Sequence, residues 1–363
     1  MAEQCLRELI EEENVSLSSS VNASSVSSSV ITPPDLYYLV IKARLDVGKG
    51  SVRNGGKVNS SYRDLRHATS LLDLMERQQK KRRQQFSGQQ QQHPQKQKQH
   101  IKPSLSSLLS VMKCYTVVLD GWCKSKMSGS ESRAEELLRR MMKTMAMTMM
   151  ERGYSGGGVV DEAAGVVLVR QYNNVMNRIA TSGKPNAGAE AERLLYELIA
   201  ASSLSSSSPS NSLDNATCTA VTATACSPSS SSTVRAPPPA LRPLLAPDRI
   251  SFNTVIKAYA NAGGEHAVAN AERILSVMEN YRPPSSQKPS VRKVTNIAPD
   301  KISYTSVLMA YASSCGNRNS VVAGERAEEL LERMTKLHEE GGGGGGDDVK
   351  PDTVIYNAVL NVW

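Results

Sequence analysis

Two alternating helical stripes run along the chain, and their spacing leaves few folds open. The first stripe starts on an aromatic residue and continues with apolar residues at i+3, i+4 and i+7. It reads Tyr115, Val118, Leu119, Trp122, then Tyr172, Val175, Met176, Ile179, and then Phe252, Val255, Ile256, Tyr259. It returns as Tyr304, Val307, Leu308, Tyr311 and as Tyr356, Val359, Leu360, Trp363. The second stripe starts on Ala68, Ala134, Ala191, Ala271 and Ala327 and keeps the same intervals, as in Ala271, Ile274, Leu275, Met278. Such spacing places all four residues on one face of an α-helix. The small Ala allows two helix backbones to approach closely. From aromatic to Ala the offset is 19 residues for Tyr115–Ala134, Tyr172–Ala191 and Phe252–Ala271, and 23 for Tyr304–Ala327. A fixed offset makes each pair one helix-turn-helix unit. A single unit cannot bury its own stripe, so the expected fold is all-α: an α-solenoid of stacked hairpin repeats with disordered insertions.

The stripes predict repeats at 111–150, 169–201, 249–300 and 301–352, and a degenerate repeat at 34–77 around Tyr37. Residues 1–14 match a second helix alone (Ala2, Cys5, Leu6, Leu9), and 353–363 match a first helix alone. On this reading the chain begins and stops in mid-unit, as a fragment would. Between the repeats lie a Ser-rich stretch (15–33), a basic Gln-rich stretch (78–104), a Ser/Pro-rich stretch (202–246) and the Gly341–Gly346 run. Low hydrophobicity in such segments predicts linkers without a packed core. Loop closure costs little more as a loop lengthens, so stacking tolerates them.

Composition narrows the function. The net charge is +8, but the eight basic residues of 77–102 face no acidic residue there, and without them the chain holds 35 charges of each sign. The repeats are therefore charge-balanced, and the high pI alone says little about nucleic acid. Six scattered cysteines make no C-x-x-C pair and no zinc spacing, which suits reduced thiols and no metal. No run reaches the ~20 apolar residues of a membrane span. The acidic start MAEQCLRELIEEE is unlike an organelle transit peptide.

Three first helices follow Pro-Asp: PDRISFNTVIKAYANAG, PDKISYTSVLMAYASS and PDTVIYNAVLNVW. With the Ala-x-x-Leu-hydrophobic-x-x-Met second helices, these segments resemble the pentatricopeptide repeat family. The tetratricopeptide repeat, a peptide-binding relative in architecture, needs a small residue four after its first-helix aromatic. Here that site holds Leu119, Met176, Ile256, Leu308 and Leu360. The resemblance implies single-stranded RNA as partner, read one base per repeat. It implies action on organelle transcripts, in processing, stability or translation, within a mitochondrion or plastid.

In that family the residue after the first-helix aromatic reads the base jointly with the Asp that closes the unit. Those positions hold Thr116, Asn173, Asn253, Thr305 and Asn357, and the closing acids are Asp248, Asp300 and Asp352. Short amides, hydroxyls and carboxylates suit the task, because together they offer donors and acceptors to a base edge. The implied pairs are Asn173 with Asp248, Asn253 with Asp300 and Thr305 with Asp352, and the implied preference is 5′-U-U-G. Two residues before the aromatic, Ile250, Ile302 and Val354 are the implied wedges between bases, with Arg170 as a departure from the aliphatic pattern. Lys124 is the implied phosphate contact near a first-helix end. The alternative function is a helical scaffold that binds protein.

Catalysis and cofactors are not expected. The Gly run lacks the Lys-Ser/Thr of a phosphate loop. The five His residues stand apart from any nucleophile, and the paired carboxylates Glu135-Glu136 and Glu328-Glu329 fall on solvated faces of second helices.

Overall fold

The computed structural model describes residues 2–19, 33–50, 62–92, 105–151, 159–204, 237–264, 266–282, 297–314, 320–340 and 349–363. Among them the secondary structure is helical, with no strand. Twelve α-helices follow in order: α1 (Ala2–Ser19), α2 (Pro34–Gly50), α3 (Tyr62–Gln92), α4 (Leu105–Lys124), α5 (Ser130–Glu151), α6 (Val159–Ala180), α7 (Ala187–Leu204), α8 (Arg249–Ala262), α9 (Ala267–Asn280), α10 (Lys301–Ser314), α11 (Ser320–Glu340) and α12 (Thr353–Leu360). The protein is all-α, as the stripes require. The chain divides into two compact units, Met1–Ser182 with Pro238–Leu241, and Gly183–Pro237 with Arg242–Trp363.

In the first unit α2, α4 and α6 pack successively on one another. Second helices flank them: α1 on α2, α3 on α2 and α4, and α5 on α4 and α6. The second unit repeats the scheme. There α8, α10 and α12 pack in succession, with α7 on α8, α9 on α8 and α10, and α11 on α10 and α12. The first residues of both stripes are the most deeply enclosed, except on α12, where Tyr356 is 50% exposed. Tyr37, Tyr115, Tyr172, Phe252 and Tyr304 are each at most 1% exposed, and Ala68, Ala134, Ala191, Ala271 and Ala327 are fully covered. Burying a large apolar side chain contributes ~1.5–3 kcal/mol, so these stripes supply most of the drive to pack.

Polar clamps join neighbouring hairpins at matching registers. The aromatic at i+7 of a first helix donates to the residue just after the Ala of the preceding second helix. Trp122 Nε1 donates to Thr69 Oγ1 at 3.1 Å, Tyr259 to Glu192, Tyr311 to Glu272 Oε1 at 2.5 Å, and Trp363 Nε1 to Glu328 Oε1 at 3.1 Å. At the other end of the helix the leading Tyr meets a Glu eight residues after the preceding Ala, and an Arg six residues after the next Ala pairs with that same Glu. The trios are Tyr115–Glu76–Arg140 and Tyr304–Glu279–Arg333. A buried hydroxyl without a partner costs ~1–3 kcal/mol, so each clamp makes an enclosed Tyr tolerable and fixes its register.

Close approach at these joints demands glycine. A Cβ on Gly188 in α7 would lie 2.3 Å from the Tyr259 ring, and one on Gly324 in α11 would lie 2.6 Å from the Trp363 ring. Both glycines sit three residues before the Ala of their helix. Gly121 also stands close to its neighbour, where a Cβ would lie 2.6 Å from the terminal Cδ2 of the Leu65 side chain.

Several expected boundaries change: α1 runs to Ser19 and α7 to Leu204, past the expected linker starts at 15 and 202. The basic Gln-rich segment was expected to leave the fold at Gln78, yet α3 runs on to Gln92, with Gln78 3% exposed and Arg83 Nη2 donating to Thr148 Oγ1 of α5 at 3.2 Å. Gln, Lys and Arg are good helix formers, and that propensity extends a helix already anchored by its Ala stripe. Within the Ser/Pro-rich stretch, Pro239–Leu244 forms a 3-10 helix, and Leu241, Leu244 and Leu245 are buried. The other expected linker residues at 20–32, 93–104, 205–236 and 341–346 lie outside the described residues, as do Cys218, Cys226 and Cys315.

Candidate nucleic-acid interface

The Pro-Asp motif first does local work. Asp248 has extended backbone (φ −116°, ψ 176°) and caps α8: its Oδ1 accepts from Ser251 N at 2.8 Å, while Ser251 Oγ accepts from Asp248 N at 3.2 Å. This is a reciprocal capping box that satisfies donors otherwise left unpaired at the helix start. Asp300 and Ser303 repeat it on α10, at 3.0 Å in both directions. Asp352 caps α12 by accepting from Val354 N and Ile355 N, each at 3.1 Å.

Asn253 and Asp300, paired by the sequence reading, meet in the second unit. Asn253 Nδ2 donates to Asp300 Oδ1 at 3.1 Å, and Ser303 Oγ donates to Asn253 Oδ1 at 2.6 Å. Arg249 Nη1 stands 3.4 Å from Asp300 Oδ2. Burial pushes the Asp300 carboxyl up, but the Ser303 N–H, the Asn253 amide, the Ser303 hydroxyl and the Arg249 guanidinium outweigh it and hold the carboxyl below its ordinary range. It is ionised at neutral pH.

The other positions are arranged differently. Thr305 is partly exposed, and its hydroxyl donates to Lys301 O at 2.6 Å, within its own helix. The side chain 3.9 Å from Asp352 Oδ2 is Lys301. Asn357 is exposed on α12. In the first unit Thr116 donates to Met112 O at 2.8 Å, and Asn173 is only 6% exposed. Asn173 and Asp248 belong to different units. Arg170 and Lys124 are exposed.

Beside Asn173, the neighbouring Asn174 donates to Asp120 Oδ1 at 2.9 Å and to Gln171 Oε1 at 3.3 Å. Burial raises the Asp120 carboxyl, opposed by Lys124 and the Asn174 amide. The sequence reading did not single out this cluster on α4 and α6.

The implied wedges are the most distinctive surface feature. Ile250, Ile302 and Val354 are 61%, 59% and 59% exposed, each in the first turn of its helix and three residues ahead of Asn253, Thr305 or Asn357. Large aliphatic side chains held in water at one register three times are not explained by packing within the chain.

Among the described residues no His/Cys/Asp/Glu group could hold a metal ion, and no helix is long and apolar enough to cross a membrane. The described cysteines are free thiols, and burial raises Cys114 and Cys123 to about 12, which leaves them unreactive near neutral pH. Comparison with protein-family models, curated proteins and solved structures returns no match.

Proposed function

We propose that this chain binds single-stranded RNA, one base per repeat, through the starts of its first helices, in the manner of the pentatricopeptide proteins it resembles. The observation that carries the reading is the threefold register in the second unit. Each first helix there opens with a capping Asp, an exposed aliphatic two residues later and a short polar side chain three residues beyond that. An exposed aliphatic edge can slide between unstacked bases, and the amide or hydroxyl beside it can meet a base edge. The Asn253–Asp300 contact holds the amide in one orientation, and a preorganised donor loses less entropy on binding. The same resemblance implies organelle transcripts as targets and a role in their processing, stability or translation.

Filter binding with U-rich single strands tests the proposal. Asn253→Ala is expected to weaken binding about tenfold, equivalent to ~1.4 kcal/mol of lost recognition. Equal affinity for parent and variant would favour the protein-binding scaffold instead.

A further inference from the structure

Directly after two of the capping acids stands a basic residue that the sequence reading passed over. Arg249 opens α8 and Lys301 opens α10. Arg249 and Asn253 are four residues apart on one face of α8, and both reach Asp300. Lys301 and Thr305 have the same spacing on α10, and Lys301 reaches Asp352. In both cases the carboxylate divides its labour: Oδ1 caps the helix, and Oδ2 faces the cation of the preceding first helix.

Both contacts are long. The separations are 3.4 and 3.9 Å, and the Lys301 side chain is 46% exposed. The exposed Lys301–Asp352 pair contributes little to stability, whereas Arg249 and Asp300 are more covered, at 22% and 13% side-chain exposure. The position of the two pairs is more telling, because each cation is next in sequence to an exposed wedge, Ile250 or Ile302. A strand whose bases lie along this edge must bring its phosphates past the carboxylates of Asp300 and Asp352. Without a cation there the acids that are to meet base donors would repel the backbone that carries the bases.

We infer that Arg249 and Lys301 are phosphate-binding positioning residues: in the free protein they rest on Asp300 and Asp352, and on RNA binding they turn to the backbone and expose Oδ2 to a base N–H. This rests on the RNA-binding reading and adds to it the residues that reconcile an acidic reading site with a polyanion. A Lys or Arg that neutralises one phosphate of a single strand releases counterions and adds about 0.7 to the salt slope of log K.

The test is the salt dependence of binding to an oligouridine strand carrying one U-U-G, for the parent chain, Arg249→Gln, Lys301→Gln and Arg249→Lys. Each Gln variant is expected to lower the slope by about 0.7, so that between about 50 and about 200 mM salt it loses about 2.6-fold less affinity than the parent does. Arg249→Lys keeps the parent slope. A parent that binds while both Gln variants keep its slope overturns this inference and leaves RNA binding standing. A parent with no affinity for the strand overturns both. Lys301→Gln changes an exposed side chain and serves as the independent arm should Arg249→Gln not fold.

Discussion

Asp300 carries more of the structure than its size suggests. One of its oxygens caps α10 and holds Asn253, while the other faces Arg249. Asp300→Ala is expected to destabilise the protein by about 1–2 kcal/mol in urea unfolding, because it removes the cap and strands the Asn253 amide. Asp300→Asn keeps a capping oxygen and is expected to cost less. The pH dependence has a definite sign. The folded carboxyl titrates below its unfolded value, so its stabilisation is complete above about pH 3.9 and is lost as pH falls through the folded value. Below about pH 4 the parent's Tm is therefore expected to fall more steeply than that of Asp300→Asn. Parallel Tm profiles would remove Asp300 from the account. The pairing of Asn253 with Asp300 was legible in sequence only through family resemblance, because 47 positions separate the two residues and no periodicity links them. The cations at Arg249 and Lys301 were visible as PDR and PDK, but their meaning depends on the i, i+4 partner and on an acid some fifty residues away.

At the scale of the helices, apolar periodicity was the dependable signal. Both stripes recur as buried faces, from Ala68 through Met75 on α3 to Phe252 through Tyr259 on α8, while on α12 only Val359 of the stripe is buried. The periodicity was silent where polar helix formers continue a helix, as after Arg77, and where three leucines are embedded among prolines, as around Leu241. It was also silent on accessibility. Asn173 shares the register of Asn253 yet is buried, because register fixes a face of the helix and not what packs against that face. The joints between helices give a graded prediction. Gly188→Ala drives a methyl into the enclosed Tyr259 ring and is expected to cost about 1–3 kcal/mol in urea unfolding. Gly324→Ala meets the Trp363 ring, which is 53% exposed and can move aside, so its cost is smaller. Equal losses would show that ring mobility does not set the penalty. Tyr259→Phe removes only the hydroxyl bond to Glu192 and is expected to cost about 1 kcal/mol.

For the molecule as a whole, the proposed RNA binding and the balanced charge outside 77–102 together predict a shallow salt dependence, with base contacts and wedging as the expected main source of affinity. The three exposed aliphatics and their capping acids lie within the second unit, which concentrates the expected recognition there. The buried Asn173 makes the first position of the implied U-U-G the weakest; the second rests on the Asn253–Asp300 contact, and the third on Thr305, whose hydroxyl bonds Lys301 O while Asp352 faces Lys301. Selection of the full chain against a randomised single-stranded RNA pool tests this most directly. The account predicts enrichment of adjacent U and G, with the U requirement lost in Asn253→Ala. Recovered strands with no base preference, or a preference unchanged by Asn253→Ala, would contradict it.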